Sequence, residues 1–164
     1  TLYNAVIKAN LRVRDRTNHS IPVNYMEMGA DATVADGRID FVFQNNTGEK
    51  IYIIARLDSS SSSNKKTCVF QIYGRPDPNG YTYSLDHEII EEIPIPDPVK
   101  VPDKLAEHVV YTDQTYEASK GQKGYKVRTY LLTKSGSTVI DQKELYVDTY
   151  KAQAPKIYVG VTPR

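Results

Sequence analysis

The sequence has no tryptophan, one cysteine, no long apolar run and almost no net charge, and each absence excludes a class of protein. The single cysteine, Cys68, rules out an internal disulfide framework. No segment approaches the roughly 20 apolar residues that a membrane-spanning helix needs, so we expect no membrane contact within these residues. The net charge is +1, from 21 basic and 20 acidic residues. Binding to nucleic acid is therefore not expected, because it depends on concentrated Lys and Arg.

Tyrosine is the abundant aromatic residue, with 13 copies among 164 residues. The length suits one ordinary domain or two small ones. Hydrophobic residues make up 40% and charged residues 25%, values typical of a globular chain. Tyrosine favours the half-buried surface of a β-sheet, and its apolar ring with a polar tip also suits a binding face. The composition thus indicates a Tyr-rich β protein.

The chain opens with a segment of helical periodicity and continues with β patterns. Thr1–Asn10 is predicted to be an amphipathic helix with one face formed by Leu2, Ala5, Val6 and Ala9. The alternating runs 38–44 and 50–57 are predicted to form a hairpin around the turn Asn45–Gly48, with 67–74 as a third strand of a meander. This pattern places Cys68 on the buried face. The serine tract Ser59–Asn64 is predicted to be a loop tip.

Four prolines between Pro94 and Pro102 mark the best candidate domain boundary. Such spacing favours extended polyproline structure and excludes a helix. We therefore predict a first domain over residues 1–90, a proline-rich linker over 91–106 and a second domain over 107–164. In the second domain, the segments 107–112, 124–133, 137–150 and 156–161 are predicted to be strands.

Several short sequence motifs in residues 1–75 resemble the carboxy-terminal half of the VanW family, which is named after a protein of vancomycin-resistance clusters. These motifs are TLYNA (Thr1–Ala5), Asn18–Val23, Gly29–Val34, Gly37–Phe43 and Asn45–Gly48. The later glycines Gly121, Gly124 and Gly136, with Tyr158–Gly160, resemble a G5 module. The resulting fold class is mainly β: an α+β amino-terminal part with one helix and an antiparallel sheet, followed by a small extended G5-like β module.

The VanW resemblance implies an extracellular bacterial protein of the cell envelope, with peptidoglycan or another cell-wall component as its partner. In this family a glycine-rich segment with a cysteine precedes the TLYNA motif, and an amino-terminal anchor holds the protein to the membrane. This chain begins after that segment. We therefore expect any role of that cysteine, and the anchor, to lie outside these residues.

His19 and Asp31 are the candidate catalytic residues. His19 lies in a polar loop beside a predicted strand, the usual position of functional side chains. With an upstream Cys it would form a Cys–His pair, and Asp31 would orient the imidazole. The alternatives are that His19 and Ser20 stabilise a tight loop, and that Asp31 binds its own backbone.

The candidate binding residues are one serine and four tyrosines: Ser20, Tyr81, Tyr83, Tyr125 and Tyr130. His87 and His108 have no partner at metal-ligand spacing, so no metal site and no cofactor are predicted. The preferred function is a wall-binding module without a complete active site. The alternatives are part of a peptidoglycan-acting enzyme and a purely structural spacer. The sequence leaves open whether the protein is an enzyme, and its oligomeric state.

Overall fold

A computed structural model describes residues 1–58 and 67–164, and these residues form ten strands and one helix. The predicted mainly β fold class with a single helix is confirmed. The helix, α1, spans Leu2–Lys8, with Thr1 as its amino-terminal cap. Its buried residues are Tyr3, Val6 and Ile7. Only Val6 was expected on this face. Two helical stripes overlap in this short segment, and the one with the larger side chains is buried because it removes more apolar area from water.

The strands of the first half form two separate antiparallel pairs. They are β1 (Arg12–Asp15), β2 (Val42–Gln44), β3 (Tyr52–Asp58) and β4 (Thr67–Tyr73). Strand β1 pairs with β2, and β3 pairs with β4. The predicted hairpin between β2 and β3 is therefore wrong. Asn46 explains the difference, because its side chain accepts the backbone N–H of Arg12 (2.8 Å) and ties the turn to β1.

Cys68 is exposed on β4, so the prediction that it is buried is wrong. Alternating apolar residues become buried only where a second layer covers their face. Every residue of β3 is exposed, whereas Phe70 and Ile72 of β4 are half-buried. The predicted loop tip at Ser59–Asn64 lies outside the described residues.

Six strands follow: β5 (Thr82–Ile93), β6 (Val99–Pro102), β7 (Thr115–Ser119), β8 (Gly124–Ser135), β9 (Thr138–Tyr150) and β10 (Lys156–Val159). Strands β5, β8 and β9 form a sheet with β8 in the centre. Gly136, at a φ of 59°, supports the turn between β8 and β9. The predicted strands at 124–133, 137–150 and 156–161 are present. The segment 107–112 makes only an isolated bridge at Tyr111, and β7 was not predicted.

The proline-rich segment contains a strand. Strand β10 lies between β6, to which it is parallel, and β7, to which it is antiparallel. Pro102 ends β6, which is an edge strand, where a missing backbone donor is tolerated. Part of the segment predicted as a linker thus belongs to a sheet, although no helix interrupts it, as expected.

The described residues divide into two compact units that alternate along the chain. The first consists of 1–19, 23–88 and 127–148, and the second of 20–22, 89–126 and 149–164. The core of the first unit includes Tyr3, Val6, Leu11, Val127 and Thr129, which are buried. The predicted domain boundaries, at 90 and 106, remain a prediction.

Candidate functional site

A buried arginine organises the polar centre of the first unit. Arg16 follows β1, and its side chain is only 4% exposed. Its Nη1 donates to both carboxylate oxygens of Asp148, at 2.9 and 2.8 Å. Its Nε donates to the backbone carbonyl of Asp31 (2.7 Å), and its Nη2 lies 3.3 Å from Oδ1 of the same residue. Arg16 therefore compensates two buried carboxylates at once, as a guanidinium with five donors allows.

Asp31 joins Arg16 to His19. Its Oδ2 lies 2.7 Å from the ring Nδ1 of His19 and also accepts the backbone N–H of His19 (2.7 Å). The Asp31 side chain is 1% exposed, whereas that of His19 is 23% exposed. A carboxylate in this position fixes the proton of a neutral imidazole on Nδ1 and leaves Nε2 as an acceptor. The structure thus brings the two predicted catalytic residues together, and the same carboxylate also holds the His19 loop.

Tyr25 occupies the other side of the imidazole. Its hydroxyl lies 2.9 Å from Nε2 of His19, and the two rings meet edge to face. When the neutral imidazole carries its proton on Nδ1, Nε2 is an acceptor and the Tyr25 hydroxyl donates to it. Tyr25 is 68% exposed, so a chain of hydrogen bonds runs from buried Asp31 through His19 to a surface hydroxyl. This arrangement can relay a proton between the surface and the imidazole.

Two tyrosine rings complete the environment of Arg16. The guanidinium lies 4.2 Å from the ring centroid of Tyr146 and 5.2 Å from that of Tyr3. The hydroxyls of these tyrosines hydrogen-bond each other, and that of Tyr146 also donates to the carbonyl of Gly29 (3.1 Å). Burial raises the pKa of Tyr3, which keeps this phenol neutral. Burial also raises the pKa of Asp148, although the neighbouring Arg16 opposes the shift.

Tyr25 lines a cavity of about 740 Å³, which we name the Tyr25 cavity. Its apolar walls include Leu2, Val34, Phe41 and Phe70. Asp40 is the one charged side chain in the wall, among the residues that the structure describes. Such a volume matches that of small-molecule sites.

The predicted binding residues Tyr81 and Tyr83 line a separate cleft of about 520 Å³, which we name the Tyr81 cleft. The hydroxyl of Tyr83 donates to Oδ2 of Asp77 (2.7 Å). Burial, together with this hydrogen bond, raises the pKa of Tyr83 to about 12. The same hydrogen bond holds the pKa of Asp77 below its usual range. Polar groups of Asn10 and Asn46 also line the cleft.

The other predicted binding residues lie elsewhere. Tyr130, on β8, donates its hydroxyl to Glu88 (3.2 Å). Ser20 and Tyr125 belong to the second unit, where the carbonyl of Ser20 accepts the backbone N–H of Lys151 (2.7 Å). In the part of the chain that the structure describes, none of these three residues lines the Tyr81 cleft.

Sequence reasoning missed Arg16, Tyr25 and Asp148, and it did not connect Tyr146 with this site. Arg16 follows a run of alternating charged residues, so the sequence did not distinguish it from a solvated surface residue. Asp148 lies 132 positions from Arg16, so no local pattern indicated their pairing. Tyr25 is the member of this group that lies close in sequence to a predicted site residue, since it follows His19 by six positions.

Within residues 1–58 and 67–164, no group of three or more His, Cys, Asp or Glu side chains is arranged to hold a metal ion. The same residues include no helix of the length and apolarity that crossing a membrane requires.

Two solved structures of G5 domains are similar to this chain. The crystal structure of HP0197-G5 is 20% identical, and the match covers 49% of this chain and 97% of that one, with a TM-score of 0.25. The IgA1 protease G5 domain is 14% identical, with 51% and 94% covered and a TM-score of 0.29.

The amino-terminal region is similar in sequence to known proteins. Residues 1–67 match the family model described as VanW like protein. The uncharacterized protein YoaR of Bacillus subtilis strain 168 is 45% identical over 56 residues, which are 34% of this chain and 18% of the relative. This chain thus spans a small part of that relative's length. The resemblance predicted from the sequence is confirmed for this part of the chain, and residues 1–67 are a VanW-like region.

Proposed function

We propose that this chain is an extracellular, wall-binding part of a bacterial cell-envelope protein, and that the Tyr81 cleft binds peptidoglycan. The observation that carries the proposal is the pairing of two tyrosines with fixed polar groups in one cleft of about 520 Å³. The VanW-like region supports the envelope location, and the glycine-punctuated β pattern after residue 107 supports a G5-like second part.

The chemistry of the Tyr81 cleft suits a ligand made of sugars and short peptides. An aromatic ring offers an apolar face for a sugar ring, while amide side chains pair with hydroxyl and acetamido groups. Asn10, Asn46 and Thr47 supply such polar groups beside Tyr81 and Tyr83. Asp77 adds one negative charge, and Lys8 and Arg75 add two positive charges, which complements a peptide with both amino and carboxyl groups.

Sedimentation of the chain with purified, insoluble peptidoglycan tests this proposal. We expect saturable recovery in the pellet and about tenfold weaker binding for Tyr81→Ala, since a tenfold change corresponds to about 1.4 kcal/mol of lost contact energy. Tyr52→Ala is the matched control, because Tyr52 is 66% exposed on β3 and does not line the cleft.

The binding proposal fails if the chain sediments no better than an unrelated β domain of similar charge. It also fails if Tyr81→Ala and Tyr52→Ala weaken sedimentation equally, because binding would then be a property of exposed tyrosines in general.

A second candidate function is catalysis on peptidoglycan with His19 as the general base. The hydrogen-bonded sequence Asp31–His19–Tyr25 favours it, because a buried carboxylate that fixes an imidazole is the arrangement that activates a nucleophile. In this candidate, the thiol that the VanW resemblance implies ahead of Thr1 is the nucleophile, and His19 removes its proton.

Thiol labelling tests the second candidate in a longer protein that includes the glycine-rich segment. Cys68→Ser removes labelling of the exposed thiol within this chain. We expect rapid reaction of the remaining cysteine with iodoacetamide and strong suppression by His19→Ala. Equal rates in the presence and absence of His19 would remove the imidazole from the mechanism.

A further inference from the structure

We propose that the Tyr25 cavity binds a ligand with an apolar body and one primary amino group. This site is separate from the Tyr81 cleft, and its chemistry does not depend on the proposed peptidoglycan binding. Three observations carry the proposal: the apolar walls, the single charged side chain among the described residues of the wall, and the hydrogen bond between the Tyr25 hydroxyl and Nε2 of His19.

The walls define the body of the ligand. Leu2, Val34, Phe41 and Phe70 surround a volume of about 740 Å³. Val34 is 65% exposed although it lines the cavity, so an apolar ligand placed against it would remove that side chain from water. Burial of apolar area is the main source of affinity in such sites.

The negative charge in the cavity wall determines which charge the ligand carries. Asp40 is the only charged side chain of the wall within the described residues. Its Oδ1 accepts the backbone N–H of Phe41 (2.8 Å), which orients the carboxylate before a ligand arrives. A cationic group complements this carboxylate, whereas a carboxylate on the ligand would be repelled.

Tyr25 defines the hydrogen-bonding character of the ligand. In the neutral tautomer that the Asp31 contact favours, with the His19 proton on Nδ1, the Tyr25 hydroxyl donates to Nε2. The Tyr25 oxygen then has only lone pairs to offer a ligand. An ammonium group carries donors alone, and it therefore matches both Tyr25 and Asp40.

The test is a titration at pH 7 of the 15N-labelled chain with n-hexylamine, n-hexanol and hexanoate, followed through the backbone amides of Tyr25, Val34 and Phe41. We expect saturable shifts with hexylamine, about fivefold weaker binding of hexanol and no binding of hexanoate. The fivefold factor is the contribution of one solvent-accessible ion pair. Hexanol binding as tightly as hexylamine would overturn the proposal, since apolar contact alone would then explain the site.

Two variants and one control separate the contributions of the polar groups. Asp40→Asn and Tyr25→Phe each remove one partner of the amine, and we expect both to weaken hexylamine binding, while Asp40→Asn leaves hexanol binding nearly unchanged. Asp36→Asn is the matched control, because Asp36 is exposed and does not line the cavity. Unchanged hexylamine affinity in the Asp40→Asn variant, with its spectrum still that of the folded chain, would contradict the assignment.

Two sources of the amine are distinguished by a further titration. Nα-acetyl-lysine methylamide represents the side chain of a peptide, and hexylamine represents a free alkylamine. Binding of both supports a lysine-like side chain as the ligand, and binding of hexylamine alone supports a free amine. Binding of neither overturns the proposal.

Discussion

Arg16 and Asp148 are separated by 132 positions in the sequence, yet one guanidinium nitrogen of Arg16 contacts both carboxylate oxygens of Asp148. Asp148 lies near the end of β9, far outside the matched VanW-like region. The same guanidinium holds Asp31, which orients His19. The geometry of the candidate catalytic pair therefore depends on a residue from the last fifth of the chain.

Replacement of Arg16 should destabilise the first unit strongly. Arg16→Met keeps much of the side-chain volume but leaves Asp31 and Asp148 without their cation in a buried environment. Removing one partner of a buried ion pair costs about 3 kcal/mol or more, since an uncompensated charge remains. Urea denaturation should show this loss in the free energy of unfolding. Arg14→Met, at an exposed position of β1, should change it by less than about 1 kcal/mol. Similar values for both variants would show that the buried pairs contribute little.

A fragment of residues 1–90 should not fold cooperatively. It contains the whole VanW-like region but lacks the buried residues Val127, Thr129 and Asp148, which belong to the first unit. Without them, Arg16 and Tyr3 would be exposed. Circular dichroism and amide dispersion in NMR spectra measure the outcome, with the complete chain as the control. A fragment with a sharp unfolding transition would instead support the boundary predicted at residue 90.

The tautomer of His19 gives a direct test of the Asp31 contact. Since Nδ1 lies 2.7 Å from the carboxylate, the neutral ring should carry its proton on Nδ1. Long-range 1H–15N spectra distinguish this tautomer from the one protonated on Nε2. Asp31→Asn should remove the preference, because an amide offers both a donor and an acceptor. His108, which is exposed in the second unit, serves as the internal control. A wild-type His19 protonated mainly on Nε2 would contradict the described hydrogen bonds.

Gly29 should tolerate no side chain. Its φ is +81°, and a Cβ at this position would collide with the side chain of buried Thr129. Gly29→Ala should therefore lower the free energy of unfolding by about 3 kcal/mol, from backbone strain and overpacking together. Gly37→Ala is a matched control, since Gly37 also has a positive φ (+66°), but a Cβ added there would meet no atom within 4 Å. It should lose only the strain, about 1 kcal/mol. Equal losses would remove the collision from the explanation.

Asp103 should give the second unit an acid-sensitive contribution to stability. Its carboxylate accepts the backbone N–H groups of Val109 and His108, at 2.9 and 2.7 Å, and that of Glu107 at 3.2 Å. These bonds, led by that of Val109, lower the pKa of Asp103 below its usual value. The folded state thus favours the ionised form. The stabilisation is present above the usual Asp pKa of about 4 and is lost as the pH falls through the lower pKa of the folded state.

Thermal unfolding between pH 7 and pH 2 checks this contribution. Asp103→Asn should lower the Tm at pH 7 and should flatten the decrease of Tm at acid pH. Asp97→Asn, at an exposed position, should change neither. An unchanged acid profile in the Asp103→Asn variant would show that other carboxylates dominate the acid response.

Local patterns predicted the elements better than their partners. Alternation identified β8 and β9, and the helix was correct to within two residues at its ends, because both features depend on neighbouring residues. The pairing of β2 was missed because it depends on the side chain of Asn46 binding the backbone of Arg12. The exposure of Cys68 was missed because an alternating strand does not show whether another layer covers it.

The residues of the candidate site also differ in whether the local sequence could indicate them. His19 and Asp31 were found because both lie in one loop region with chemistry-bearing side chains. Arg16 and Asp148 were not found, because a buried charge looks like a surface charge until the distant partner is known. Tyr81 and Tyr83 line one cleft, as two aromatic residues so close in sequence can, although Tyr81 precedes β5; their role in binding stays a prediction.

The distance along the chain between Arg16 and Asp148 also has a consequence for biosynthesis. A ribosome releases the amino-terminal residues first, so Arg16 emerges long before its carboxylate partner has been translated. Contacts between such remote positions form late, because the intervening chain must first be ordered. The core of the first unit can therefore be completed only after β9 has been translated, because the buried residues Val127, Thr129 and Asp148 belong to that unit.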